Sequence, residues 1–185
     1  MRYPFPTVRK LPIVLLLLAA ALPTAAQEKA PEKKTAWPLS LADGLPKELP
    51  GYVAAPTDPL PDTDENDMGV FTEVSRFFQR IESPTVTRQF RLVVQDYGKE
   101  KNVEADLKKA MAEAATHQSV EVRDVMIGGL KAFAVTDRSS GNPTTLITVI
   151  VQPSRLVLAQ GANIDRDAAL KLLSHVDFPR VAATK

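Results

Sequence analysis

The stretch from Val120 to Ala162, VEVRDVMIGGLKAFAVTDRSSGNPTTLITVIVQPSRLVLAQGA, constrains the fold more than any other. Its apolar and β-branched runs are broken at Gly128-Gly129, at Ser139 to Pro143 and at Gln152 to Arg155, all of which are turn signals. Four antiparallel strands in a meander follow from that spacing. Thr144 to Val151 (TTLITVIV) is apolar on both faces over much of its length, as in a central strand covered on two sides. Gly128 and Gly129 can take the positive φ of a tight hairpin, and Pro153 suits the second position of a type I turn. A glycine pair that feeds a strand rather than a helix is not a phosphate-binding loop.

The amino-terminal end reads as an export signal. Arg2, Arg9 and Lys10 precede an apolar run from Leu11 to Leu22, and the small residues of Pro23-Thr24-Ala25-Ala26 close it. Cleavage before Gln27 fits the small positions at Thr24 and Ala26; a cut after Ala21 is the alternative. About 12 apolar residues fall short of the roughly 20 that span a bilayer. The expected location is therefore periplasmic or secreted, with no membrane span once the signal is removed. Without residues 1–26 the chain carries 20 basic and 22 acidic residues, a net charge of −2 that leaves no nucleic-acid footprint. Cysteine is absent, which excludes disulfides, thiolate nucleophiles, cysteine-held zinc and iron-sulfur clusters. Asn142 precedes Pro143, so the sequence offers no N-glycosylation acceptor there.

Gln27 to Ala36 (QEKAPEKKTA) is too polar to order itself. Trp37, Leu39, Leu41, Leu45, Leu49 and Tyr52 then alternate with prolines and glycines, as in an irregular segment that pegs side chains onto a body. The sequence thus divides into a signal peptide at 1–26, a proline-rich flexible arm at 27–50, a single domain at 51–180 and a frayed tail at 181–185. Phe71 to Ile81 fits both helical and strand spacing. Val86 to Asp96 alternates, with Phe90, Leu92 and Val94 on one face and Gln89, Arg91 and Gln95 on the other. A hairpin satisfies both segments, so 71–81 is expected as a strand. Val103, Leu107, Ala110, Met111 and Ala114 mark a helix over 101–116 with Asn102 as cap. Asp165 caps a last helix carrying Ala169, Leu172, Leu173 and Val176, and Pro179 is expected to end it.

The resulting order, β-β-α-β-β-β-β-α, makes an α+β fold, an antiparallel sheet with helices packed on it. In this order, behind a signal peptide and a proline-rich arm, residues 50–180 resemble the PsbP-like exported domains. That family groups extrinsic photosystem subunits with bacterial periplasmic proteins, and the resemblance implies an accessory role. It assigns no residue a function.

Candidate chemistry is sparse. Asp62, Asp64, Asn66 and Glu73 hold relative positions 1, 3, 5 and 12 of a calcium loop. Asp67 stands where that loop needs glycine, and prolines precede it. Arg76, Arg80, Arg88 and Arg91 decorate the first hairpin, interleaved with Glu73 and Glu82, as solvated arginines do. His117 and His175 both fall at helix ends, without metal-ligand spacing. Ser139, Ser140 and Ser154 lie in turns that lack nucleophile-elbow glycines. No catalytic, cofactor-binding or metal-binding residue is assigned, and no cofactor is expected. The expectation is an exported, non-enzymatic binding or accessory module for a protein or small ligand. The alternatives are a structural protein stabilised by calcium at 62–73, or a cofactor-free enzyme using carboxylates such as Asp96, Asp124 or Asp137.

Overall fold

The computed structural model describes residues 41–56, 60–99, 101–139 and 142–184. Among them, eight strands form one antiparallel sheet: β1 (Val53–Ala54), β2 (Asp62–Asn66), β3 (Gly69–Ser83), β4 (Val86–Asp96), β5 (Val120–Ile127), β6 (Leu130–Asp137), β7 (Thr144–Gln152) and β8 (Arg155–Ala162). Three short helices accompany them: α1 (Glu104–Ala114), α2 (Arg166–Leu173) and α3 (Phe178–Ala183). The architecture is sheet-dominated. Strand order is β1-β3-β4-β8-β7-β6-β5, and β2 shares the outer edge of β3 with β1.

The meander forms where the turn residues place it. Ile127 faces Leu130 across Gly128 (φ 58°) and Gly129 (φ 84°), and Gln152 faces Arg155 across Pro153-Ser154. The ambiguous 71–81 segment is a strand. Along β3 the register sets Phe78 opposite Phe90, and both are fully buried. This pairing decides against the helical spacing, because β4 offers a ladder and a buried partner at once.

Strand alternation gives the sheet two buried faces. On one face Phe78, Phe90, Leu92, Val94, Ile147 and Val157 pack with Ile164, with Leu173 of α2 and with Val181 of α3. On the other, Phe71, Tyr97, Phe133, Leu146 and Leu156 pack with Val103 and with Leu107 and Met111 of α1. Asp165 caps α2, its Oδ1 accepting the Ala168 amide at 2.8 Å; the cap of α1 is Val103 rather than Asn102, whose Oδ1 accepts the Glu104 amide at 3.1 Å from one position further out.

Three boundaries differ from the sequence reading. The arm assigned to 27–50 joins the body by Leu41, where a 3-10 turn (Leu41–Gly44) begins, and Leu45 and Leu49 are buried in the first core. Residues 27–40, including Trp37, and residues 1–26, expected as a signal peptide, lie outside the described residues. The acidic stretch is strand β2, because the outer edge of β3 supplies it with backbone partners from Asp62↔Glu73 to Asn66↔Gly69. The tail at 181–185 is not frayed at its start. Asp177 caps α3 by accepting the Arg180 amide at 3.0 Å, and Pro179 occupies the first turn, where its missing N–H costs nothing. Proline here opens a helix rather than closing one.

Gly44 lets α3 approach. The Asp177 amide donates to the Gly44 carbonyl at 3.0 Å, and a Cβ on residue 44 would overlap Val181 Cγ2 and stand 2.9 Å from the Asp177 carbonyl oxygen. Gly44→Ala is expected to lower stability by about 1–3 kcal/mol through this overpacking, read as a reduced urea midpoint at unchanged slope.

Candidate functional site

Helix α1 is too small to cover its face. Eleven residues span roughly 16 Å, whereas seven strands side by side extend over roughly 29 Å. Where α1 meets the sheet it leaves a cleft of about 340 Å³. The floor is Val93 of β4, Leu146 and Thr148 of β7, and Leu156, Leu158 and Gln160 of β8. Leu107, Ala110 and Met111 form one wall; Ala110 keeps it shallow. The opposite wall is the β2–β3 turn, Asn66, Asp67 and Met68. At the rim stand Asp106, Lys109 and Glu113, with Asp106 engaged by Lys101 at 2.9 Å.

The turn wall is held by a chain of hydrogen bonds. Asn66 Nδ2 donates to Tyr97 Oη at 2.8 Å, while Asn66 Oδ1 accepts the Met68 amide at 2.9 Å. Tyr97 Oη donates to Gln95 Oε1 at 3.2 Å, and Gln95 Nε2 donates to Glu73 Oε2 at 3.2 Å. Arg91 Nη2 closes the chain on Glu73 Oε1 at 2.5 Å and Ser75 Oγ at 3.2 Å. Burial pushes the Tyr97 hydroxyl up to about 12, with the Glu73 charge adding to the rise and the Asn66 hydrogen bond opposing it. The α1 wall is pinned as well, since the Val103 amide donates to the Pro153 carbonyl at 2.8 Å.

A second cleft, about 370 Å³, is lined by Glu121, Arg123, Thr136, Arg138, Pro143, Asp165, Arg166 and Asp167. It is no smaller, but its charges answer one another. Glu121 contacts Arg123, Arg138 at 3.7 Å and Arg166 at 4.0 Å, Asp167 takes Arg166 at 3.1 Å, and Asp165 caps α2. The cleft under α1 has the apolar floor that small molecules need.

The residues singled out from the sequence do not assemble into a site. Asp62, Asp64 and Asn66 alternate along a straight strand, so successive ones sit roughly 7 Å apart and cannot wrap one ion. Glu73, the twelfth position, is held by Arg91 and Gln95. Among the described residues, no three His, Cys, Asp or Glu side chains are grouped so as to hold a metal. The four hairpin arginines divide between the faces: Arg91 pairs with Glu73 on one, and on the other Arg80 and Arg88 meet Glu82 at 3.8 and 3.0 Å while Arg76, opposite Leu92, has a buried Nε without a hydrogen-bond partner. Asp96, Asp124 and Asp137 lie on three strands, and neither cleft is lined by any of them. Asp96 binds Arg155. Burial raises the Asp137 carboxyl, but hydrogen bonds led by the Ser139 amide outweigh that and bring it below its ordinary value. His117 and His175 are exposed in the turns that follow α1 and α2, helices that pack against opposite faces.

Sequence reading missed Asn66, Gln95, Thr148 and Gln160 as cleft residues. Gln95 lies on the polar face of β4 and is nevertheless buried. A polar residue flanked on both sides by apolar ones marks Thr148, between Ile147 and Val149, but not Gln95, beside Asp96, or Asn66, between Glu65 and Asp67. Among the described residues no helix is long and apolar enough to cross a membrane. No protein-family model and no curated protein matches the chain.

Proposed function

We propose that the protein is an exported, non-enzymatic binding module that holds a small, largely apolar molecule in the cleft beneath α1. One observation carries this reading: a preformed cleft with a floor of Val93, Leu146, Leu156 and Leu158, rimmed by polar side chains. Its volume falls in the lower range of small-molecule sites. The export signal at 1–26, the α+β reading with helices on both faces and the PsbP-like element order join it in one proposal, an accessory domain working outside the cytoplasm. A binding role asks nothing of carboxylates that lie apart.

The test is a titration of the mature protein, recovered from the periplasm with Gln27 as its first residue, with the neutral fluorophore N-phenyl-1-naphthylamine. A saturable, single-site rise in fluorescence is expected. Ala110→Trp, which fills the cleft from a half-buried helix position, should abolish it while the far-ultraviolet circular dichroism stays unchanged. Equal binding by the two proteins would contradict the proposal.

A further inference from the structure

The floor of the cleft holds a polar group without a partner. Thr148 is 2% exposed, lies between Phe133 and Leu158 in the ladder, and makes no side-chain hydrogen bond among the described residues. Among the described residues Arg76 Nε is the one buried side-chain polar atom without a partner, so the Thr148 oxygen, which makes no bond, still keeps some accessible surface. Thr145, three residues earlier on the other face, donates to the Ile164 carbonyl at 2.8 Å. Valine would fill the Thr148 position with the same shape and without the unmet hydroxyl. The side chain lines the cleft, so its remaining exposure opens there. Gln160 lies diagonally across on β8, opposite Leu146, and it too lines the cleft, with no side-chain hydrogen bond among the described residues. Diagonal neighbours on adjacent strands are close enough for a long side chain to share a partner with a short one.

We infer that the molecule taken up in this cleft carries one uncharged hydrogen-bonding group, an alcohol, ketone or amide on an apolar body, which Thr148 Oγ and Gln160 meet at the floor. This rests on the cleft being the binding site. A carboxylate is disfavoured because the floor offers it no cation. Arg91, opposite Gln160 on β4, is held by Glu73 and Ser75, and at the rim Lys109 stands among Asp67, Asp106 and Glu113. A neutral oxygen gains Thr148 and Gln160 at no such cost.

Three probes with one ring system separate the cases: naphthalene, 2-naphthol and 2-naphthoate, titrated at pH 7 into the full mature protein. 2-Naphthol is expected to bind about tenfold more tightly than naphthalene, the value of one hydrogen bond, and 2-naphthoate most weakly. Thr148→Val should reduce the preference for 2-naphthol over naphthalene and leave naphthalene unchanged or tighter. If Thr148→Val leaves the 2-naphthol to naphthalene ratio as it was, or if 2-naphthoate binds best, the inference about the ligand's polar group fails while the cleft stands. If none of the three binds the unaltered protein, the cleft reading fails with it.

Discussion

Replacing Arg155 with alanine is expected to lower the unfolding free energy by about 3–5 kcal/mol, the cost of breaking a buried ion pair from one side. Arg155 opens β8 directly opposite Asp96 at the end of β4, and its side chain is 7% exposed. Its Nε and Nη2 both donate to Asp96 Oδ2. Nη1 donates to the carbonyls of Val181 at 2.7 Å and Thr184 at 2.9 Å, at the carboxyl end of α3, where a cation is favoured. Gln152, the residue paired with Arg155, donates to the Ala182 carbonyl at 2.8 Å. One guanidinium thus joins the sheet to the last helix, and its loss strands a carboxylate and several carbonyls together. Urea denaturation of Arg155→Ala, Asp96→Asn and the double variant gives the coupling directly. Because the pair is shielded, 0.5 M salt should change the result little. A loss below about 1 kcal/mol, the value of an exposed pair, would show that α3 is not held this way.

At high pH a second effect of similar kind is expected from Tyr97. Its hydroxyl titrates at about 12 in the fold against 10.0 when free. A raised acid keeps its proton longer in the folded state than in the unfolded one, so the unfolded state binds fewer protons above pH 10 and stability falls as pH rises. The contribution is intact below pH 10 and diminishes by about 2 kcal/mol by pH 12. Tyr97→Phe removes this slope. At neutral pH the same substitution costs about 1–3 kcal/mol, because Gln95 and Asn66 lose the oxygen between them. Burial also raises Tyr52, against the pull of Arg88 and Arg80. Tyr52 is present in both proteins, so the difference between their stability profiles isolates Tyr97. Parallel profiles from pH 9 to 12 would show that the Tyr97 hydroxyl ionises freely in the fold.

The parts of this fold that were legible are those fixed by neighbours in sequence. Gly128-Gly129 and Pro153-Ser154 set two hairpins through local backbone preference, and Asp165 sets the start of α2 through a bond three residues away. Strand β2 was illegible because Asp62–Asn66 has no apolar residue to mark it; it is a strand only because β3 has an edge to offer. Helix α3 was illegible because Pro179 ends one helix and begins another with equal ease, and what decides is the docking of Val181 beside Gly44. The candidate site was hidden for a related reason. Thr148 reads as one more β-branched residue in TTLITVIV, and Gln95 as solvent-facing polarity, until α1 is laid across the sheet. The cleft is made by what the helix fails to cover, which no local pattern encodes.

The most direct test of the proposed binding site is a methyl and amide NMR titration of the protein with 2-naphthol. Shift changes are expected at Met68, Met111, Leu146, Leu156 and Leu158, together with the Thr148 amide, which ring the cleft. Val53 and Ile81 are 68% and 72% exposed on β1 and β3, and they serve as the internal control for loose apolar adsorption. Changes confined to the cleft set are the result the account predicts. Changes at Val53 and Ile81 with a silent cleft would contradict it.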